Sequence, residues 1–343
     1  MSVVLVTGGA GFIGSHVAER LVREGVAVRV VDNLSTGTTA NLGSIRNNVE
    51  FVQGDLSDPL VCAKVTKGIQ TIWHLAALPS VSRSMADPWG SHQNNANATL
   101  QLLLAAKNAG VQRFVYSSSS SIYGDTPTLP KVETAEPLPR SPYAAAKLAG
   151  EQYVLAFARA GLIEGVALRY FNVFGPRQSP DSAYAAVIPA FLDAAIRGAG
   201  VSLHGDGLQT RDFTFVDNVV DANLKAGRHP ASAVNGWVVN VGAGARTSLV
   251  ELVQICREVT GAALPIKLCP PRAGDVRDSL ASLARAELVL GYLPSVDLLG
   301  GLQRTWSWVQ DPGFRAVAAA SRRSNRSGSH RSHPNRNPTP QER

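Results

Sequence analysis

The tightest constraint on how this chain can fold lies at its start. Val3, Val4, Leu5 and Val6 run straight into Thr7, and glycines then recur at Gly8, Gly11 and Gly14. A short apolar run stopped by glycine reads as a strand buried on both faces, the kind found in parallel sheets. The stretch 11–24 places Ile13, Val17, Leu21 and Val22 on one helical face, and Gly25 stops it. Strand, glycine turn and helix together make the opening unit of a dinucleotide site. Gly8 permits the tight turn, Gly11 lets backbone approach a pyrophosphate, and Gly14 lets the helix pack on the strand. The helix N-terminus then favours the anion. The spacing G-x-x-G-x-x-G by itself also suits an ordinary tight turn. Its context decides: a second strand, 28–31, ends at Asp32, 18 residues after Gly14. A carboxylate there accepts from adenosine ribose hydroxyls and repels a 2′-phosphate, which favours NAD over NADP.

Further strands are expected at 50–53, 71–75, 114–118 and 165–170, with helical patterns between most of them. Strands alternating with helices predict an α/β fold, a Rossmann-type doubly wound parallel sheet with its ligands along one edge. After about residue 176 the alternation loosens into a helix at 186–197, short strands at 201–204 and 237–241, and a helix at 249–260. The organisation expected is an NAD-binding domain over 1–176 and a smaller α/β substrate lobe over 177–313, some of whose segments return to the first sheet. The remainder, 314–343, is rich in Ser, Arg, Asn and Pro and is expected to be a disordered basic tail.

That tail explains the charge. The chain carries a formal +7, but 315–343 holds seven Arg and one Glu, so the body is near +1. A basic face for nucleic acid is not expected on the body. Cys62, Cys256 and Cys269 match no zinc spacing, and an odd count argues against a disulfide framework. Reduced thiols in the cytoplasm, with no metal, are the simple expectation. No apolar run of 18 residues suggests a membrane span.

Two segments extend the cofactor edge. Asp55 and Leu56 follow a strand where a carboxylate can meet the adenine amino group, and Leu75, Ala76 and Ala77 let backbone lie against a cofactor. Catalytic chemistry is suggested further on. Five serines, Ser117 to Ser121, end a predicted strand, and Tyr143 and Lys147 follow on a helix whose N-cap is Ser141. Residues four apart share a helix face. An ammonium near a phenol lowers its pKa from about 10, and a positive nicotinamide ring lowers it further, so Tyr143 is a candidate general base.

With these residues in place, the chain resembles the extended short-chain dehydrogenase/reductase superfamily, specifically its nucleotide-sugar 4-epimerases. The resemblance rests on TGGAGFIGSH at 7–16, DNLSTG at 32–37, GDL at 54–56, HLAAL at 74–78, SSSSSIYGD at 117–125 and SPYAAAK at 141–147. It continues through LRYFNVFGPRQ at 168–178, YAAVIP at 184–189, RDF at 211–213 and RAGDVRDS at 272–279. It implies Tyr143 as base, Lys147 as its partner and Ser119 as the assisting hydroxyl. It implies NAD contacts at Gly8, Gly11, Phe12, Ile13, Gly14, Asp32, Asn33, Asp55, Leu56, Leu75, Ala76, Ala77, Asn94 and Phe171. It places a UDP-sugar near Ser80, Ser121, Asn172, Gln178, Ala186, Val187, Arg211, Arg272, Asp275 and Ser279, and it implies a homodimer.

The related 4,6-dehydratases carry an Asp-Glu pair after the catalytic hydroxyl. Here Ser120 and Ser121 stand there, so dehydration is disfavoured. Ser279 stands where epimerases that exclude N-acetyl sugars carry a large aromatic residue, which leaves room for an acetamido group. The competing expectation is a nucleotide-sugar reductase or dehydrogenase with net redox, because the same Ser, Tyr and Lys serve both.

Overall fold

The computed structural model describes residues 3–179, 186–271 and 276–311. Arg272, Asp275 and the expected tail lie outside the described residues. The core is a sheet of seven parallel strands: β1 (Val3–Thr7), β2 (Ala27–Asp32), β3 (Val49–Gln53), β4 (Ile69–His74), β5 (Arg113–Ser119), β6 (Glu164–Tyr170) and β7 (Val238–Val241). Their order is β7-β6-β5-β4-β1-β2-β3. Successive side chains of a strand face opposite sides. In β1, accordingly, Val4 and Val6 join one apolar cluster and Leu5 the other. One side is covered by α1 (Phe12–Arg23) and the other by α2 (Ala98–Asn108) and α3 (Pro142–Arg159). From β1 the chain winds outward to β2 and β3, then crosses back to β4 on the other flank. That reversal opens a crevice at the strands' C-terminal ends, the usual place for a ligand in a doubly wound sheet.

Later segments rejoin this domain. The expected strand at 237–241 forms as β7 and pairs in parallel with β6. The helix α4 (Val216–Arg228) packs beneath the sheet, where Trp73 donates its indole N–H to the Asn223 carbonyl at 2.8 Å. The expected strand at 201–204 forms too, but it pairs with Ile266–Cys269 in a separate two-stranded sheet. The helix α5 (Leu249–Thr260) starts at a full capping box, Ser248 with Glu251, and ends at left-handed Gly261. Among the described residues no helix is long and apolar enough to cross a membrane.

Candidate active site

The glycine turn after β1 is shaped by close approach. Gly8 has φ +64°, and a Cβ there would lie 2.7 Å from the Ala76 backbone. A Cβ on Gly14 would lie 2.2 Å from the Gly8 carbonyl oxygen, which no side-chain shift relieves. At Gly11 a Cβ would meet only the Gly8 carbonyl oxygen, at 3.0 Å. No side chain caps α1, so its first-turn amides stay available to an anion.

Around this turn runs a groove lined by Gly8, Gly11, Phe12, Ile13, Gly14, Asp32 and Asn33, then by Asp55, Leu56, Leu75, Ala76, Ala77 and Asn94. Asp32 accepts the Ala10 amide at 3.0 Å and the Leu34 amide at 2.8 Å, which fix its carboxylate at the end of β2. Asp55 accepts from the Ser57 amide and hydroxyl and from Asn33, at 2.8, 2.7 and 2.9 Å. Burial works to raise its pKa, but these donors outweigh it and hold the carboxyl below its ordinary value. The groove thus offers a backbone cradle for a pyrophosphate, a placed acid for a ribose and a second acid for an adenine, so its residues fit NAD. Phe171 is not on its wall; it is fully buried beside Tyr123, ring centroids 6.1 Å apart. Ser35 and Thr36, in the segment that follows Asp32, also line the groove, and nothing in their residue types or spacing marks them as cofactor contacts.

The catalytic set gathers where β5 ends. The Ser119 hydroxyl lies close enough to the Tyr143 phenol to lower its pKa, and it hydrogen-bonds at 2.9 Å to the Ser121 hydroxyl. Tyr143 enters at the first turn of α3, with Ser141 as N-cap accepting the Ala144 amide and Pro142 in the first turn. Lys147 follows one turn later, buried, its ammonium 4.8 Å from the centre of the Tyr116 ring.

The balance on these groups differs from the sequence expectation. Burial raises the Tyr143 pKa and only the Ser119 hydroxyl opposes it. Lys147, whose ammonium lies on Tyr116, does not supply the lowering expected of it. Burial brings Lys147 itself down to about 7, with the Glu151 carboxylate pulling the other way. Beside it, His74 accepts from the Thr7 hydroxyl at 2.8 Å and donates to Thr99 at 2.9 Å, because Thr7 already accepts the Leu75 and Ala76 amides and Thr99 donates to the Asn95 carbonyl. This ladder pins the 75–77 backbone against Gly8.

A second cavity lies beyond β6 and is lined by Asn172, Gln178, Ala186, Val187 and Arg211. Asn172 holds a left-handed backbone, φ +21°. Arg211 donates to the Thr210 and Arg277 carbonyls at 2.9 and 3.1 Å, which fixes its guanidinium. His204, at the end of the expected strand 201–204, and Gln209, in the loop that follows it, line the same cavity, and neither carried a sequence signal for a site. Ser279 is buried, with its amide on the Thr210 carbonyl at 3.1 Å. Ser80 caps the short helix Val81–Ala86 by accepting the Arg83 amide.

Residues 4–242 match the NAD dependent epimerase/dehydratase family. A UDP-glucose 4-epimerase of Mycolicibacterium smegmatis is 40% identical over 305 residues, spanning 88% of this chain and 96% of that protein. The solved UDP-glucose 4-epimerase of Thermotoga maritima, with UDP-glucose, superposes with a TM-score of 0.85 at 37% identity, covering 92% of this chain and 99% of that one. The UDP-N-acetylglucosamine 4-epimerase of Methanobrevibacter ruminantium, in complex with UDP-N-acetylmuramic acid, gives 0.84 at 38% identity, covering 90% and 97%. A fitted NAD groove, a Ser–Tyr–Lys set at the same sheet edge and these likenesses lead to one assignment: the chain belongs to the NAD-dependent epimerase/dehydratase family of extended short-chain dehydrogenases/reductases and is an NAD-dependent nucleotide-sugar 4-epimerase.

Proposed function

We propose that the protein is a UDP-sugar 4-epimerase acting on UDP-N-acetylglucosamine and UDP-N-acetylgalactosamine, on UDP-glucose and UDP-galactose, or on both pairs, and that it works as a homodimer. The observation that carries this reading is that the Ser119 hydroxyl lies beside the Tyr143 phenol where β5 ends, at the sheet edge that bears the NAD groove. Tyr143 takes the proton of the sugar's C4 hydroxyl and later returns it, and Ser119 shares that proton through its own hydroxyl. Bound NAD supplies the acceptor and then the donor of the C4 hydride and ends each cycle as it began. Arg211, Asn172 and Gln178 hold the nucleotide, with Arg272 and Asp275 assigned to the same task. Firm hold on the diphosphate and loose hold on the sugar let the ring present both faces. Support for uridine nucleotides comes from the relatives, solved with UDP-glucose and with UDP-N-acetylmuramic acid. Support for N-acetyl sugars comes from the small side chain of Ser279.

Purified protein incubated with UDP-glucose, UDP-galactose and their N-acetyl counterparts should convert at least one pair, read by chromatography, with no net change in reduced-nicotinamide absorbance. Stoichiometric reduction of added NAD, or no conversion of any of the four, would defeat this reading.

A further inference from the structure

Glu151 lies one helical turn beyond Lys147 on α3 and is wholly buried. Its carboxylate accepts three hydrogen bonds from two residues. Arg169 of β6 donates to it twice, Nε to Oε2 at 3.0 Å and Nη2 to Oε1 at 2.7 Å, and Ser118 of β5 donates to Oε2 at 2.6 Å. Arg169 is itself buried, its guanidinium 4.7 Å from the centre of the Tyr123 ring and its Nη1 reaching the Glu133 carbonyl at 3.5 Å.

The proposed reaction makes no use of this carboxylate, yet a buried charge is expensive and a buried ion pair is weak ground for stability alone. The groups around it give it a different task. Lys147 lies between α3 and the sheet, facing His74 of β4, Tyr116 of β5 and, along its own helix, Tyr143 and Glu151. His74 is neutral because burial, then the Lys147 charge, brings its pKa down to about 3. Tyr116 stays a phenol because burial raises it well above its usual value. Among the described residues of that shell, Glu151 is therefore the one anion. Beyond it stand Arg169, Tyr123 and Glu133.

We propose that Glu151 is a positioning residue: locked by Arg169 and Ser118, it is the counter-charge that keeps Lys147 a cation inside the sheet–helix interface, and it acts on the reaction through Lys147. The inference rests on the reading of Tyr143 and Lys147 as the reacting pair. Arg169 is needed to fix the carboxylate rotamer, since a free Glu in that space would take up a proton instead.

The test reads Lys147 directly. In protein carrying 13C at the lysine ε-carbons, the Lys147 resonance is the one lost in Lys147→Arg, and its titration gives the midpoint. Glu151→Gln should lower that midpoint by about one unit or more, the scale for losing an opposite charge roughly 4–6 Å away. Merely loosened packing admits water and moves the midpoint upward, so the sign separates the two causes. Where the single change does not fold, Glu151→Gln combined with Arg169→Met removes the unpaired buried cation, and its midpoint should fall likewise. An unchanged or raised midpoint overturns the proposal. In the epimerase assay the same variant should lose activity on the alkaline side at lower pH than the wild type, with KM for the nucleotide sugar unchanged. A fallen midpoint in a protein that converts no UDP-sugar would sink the assigned reaction and leave the role of Glu151 standing.

Discussion

Tyr143 works as a base only when its phenol sheds a proton near neutral pH, and the chain's own residues push it the other way. Burial raises it, and Ser119 is the single opposing contact. The phenol is therefore tuned by what binds beside it rather than preset by the fold. Tyr143→Phe should keep NAD bound while turnover drops by at least about 10²-fold, the scale of a lost general base. Turnover within a few-fold of wild type would remove Tyr143 from the role. Ser279 governs scope in the same reading: Ser279→Tyr should depress kcat/KM for N-acetylated UDP-sugars more than for UDP-glucose. Equal loss on both would show that the residue does not gate the acetamido group. At this scale the sequence was legible where spacing along one helix decides, as for Tyr143 and Lys147 or the cap at Ser141. It was not legible where strand register decides. That the Lys147 ammonium rests on the Tyr116 ring, and that Arg169 meets Glu151, depends on how β5 and β6 line up beneath α3.

Elements follow the same division. The glycine turn was readable because only glycine tolerates its geometry, and Gly14 offers the sharpest check. Gly14→Ala puts a methyl 2.2 Å from a backbone oxygen, so α1 must move away from β1. Expected costs are about 1–3 kcal/mol of stability and at least a roughly tenfold weaker NAD affinity, by denaturant titration and cofactor titration. Gly43→Ala is the control, because a Cβ there meets nothing within 4 Å. The end of β4 carries a pH dependence. Burial, then the Lys147 charge, brings His74 from 6.5 to about 3 in the folded chain. Between those values the unfolded chain binds the extra proton, so stability is lost as pH falls from 6.5 toward 3, by up to about 1.4 kcal/mol per unit for one proton. His74→Gln should flatten that slope in urea midpoints measured across the acid range; a slope equal to wild type would place the titration elsewhere. Strand 266–269 carries no legible strand pattern, because its apolar residues Ile266 and Leu268 face outward. Strand 237–241 was visible as a strand, but its return beside β6 is a long-range pairing that local pattern does not encode.

At the scale of the whole molecule, the question is what the outer faces of α2 and α3 are for. These helices bury one side on the sheet through Leu102, Leu103, Val154 and Leu155. Leu104 and Tyr153 nonetheless remain 42% and 39% exposed on them, and Met85 and Trp89 on the adjoining short helices are 56% and 69% exposed. Apolar side chains gathered on adjoining elements, on a body whose charge is near neutral once the tail is set aside, suit a two-fold contact in which the same patch meets itself. In such a contact each residue acts twice, so a single charge introduced there is felt on both sides. Wild-type protein should elute and sediment as a dimer at micromolar concentration. Leu104→Glu with Tyr153→Glu should give a monomer of unchanged circular dichroism, and because α3 also carries Tyr143 and Lys147, that monomer should turn over more slowly than the dimer. A wild-type monomer across the concentration range would refute the pairing. A monomeric variant with full activity would show instead that the pairing exists but leaves the position of α3 untouched.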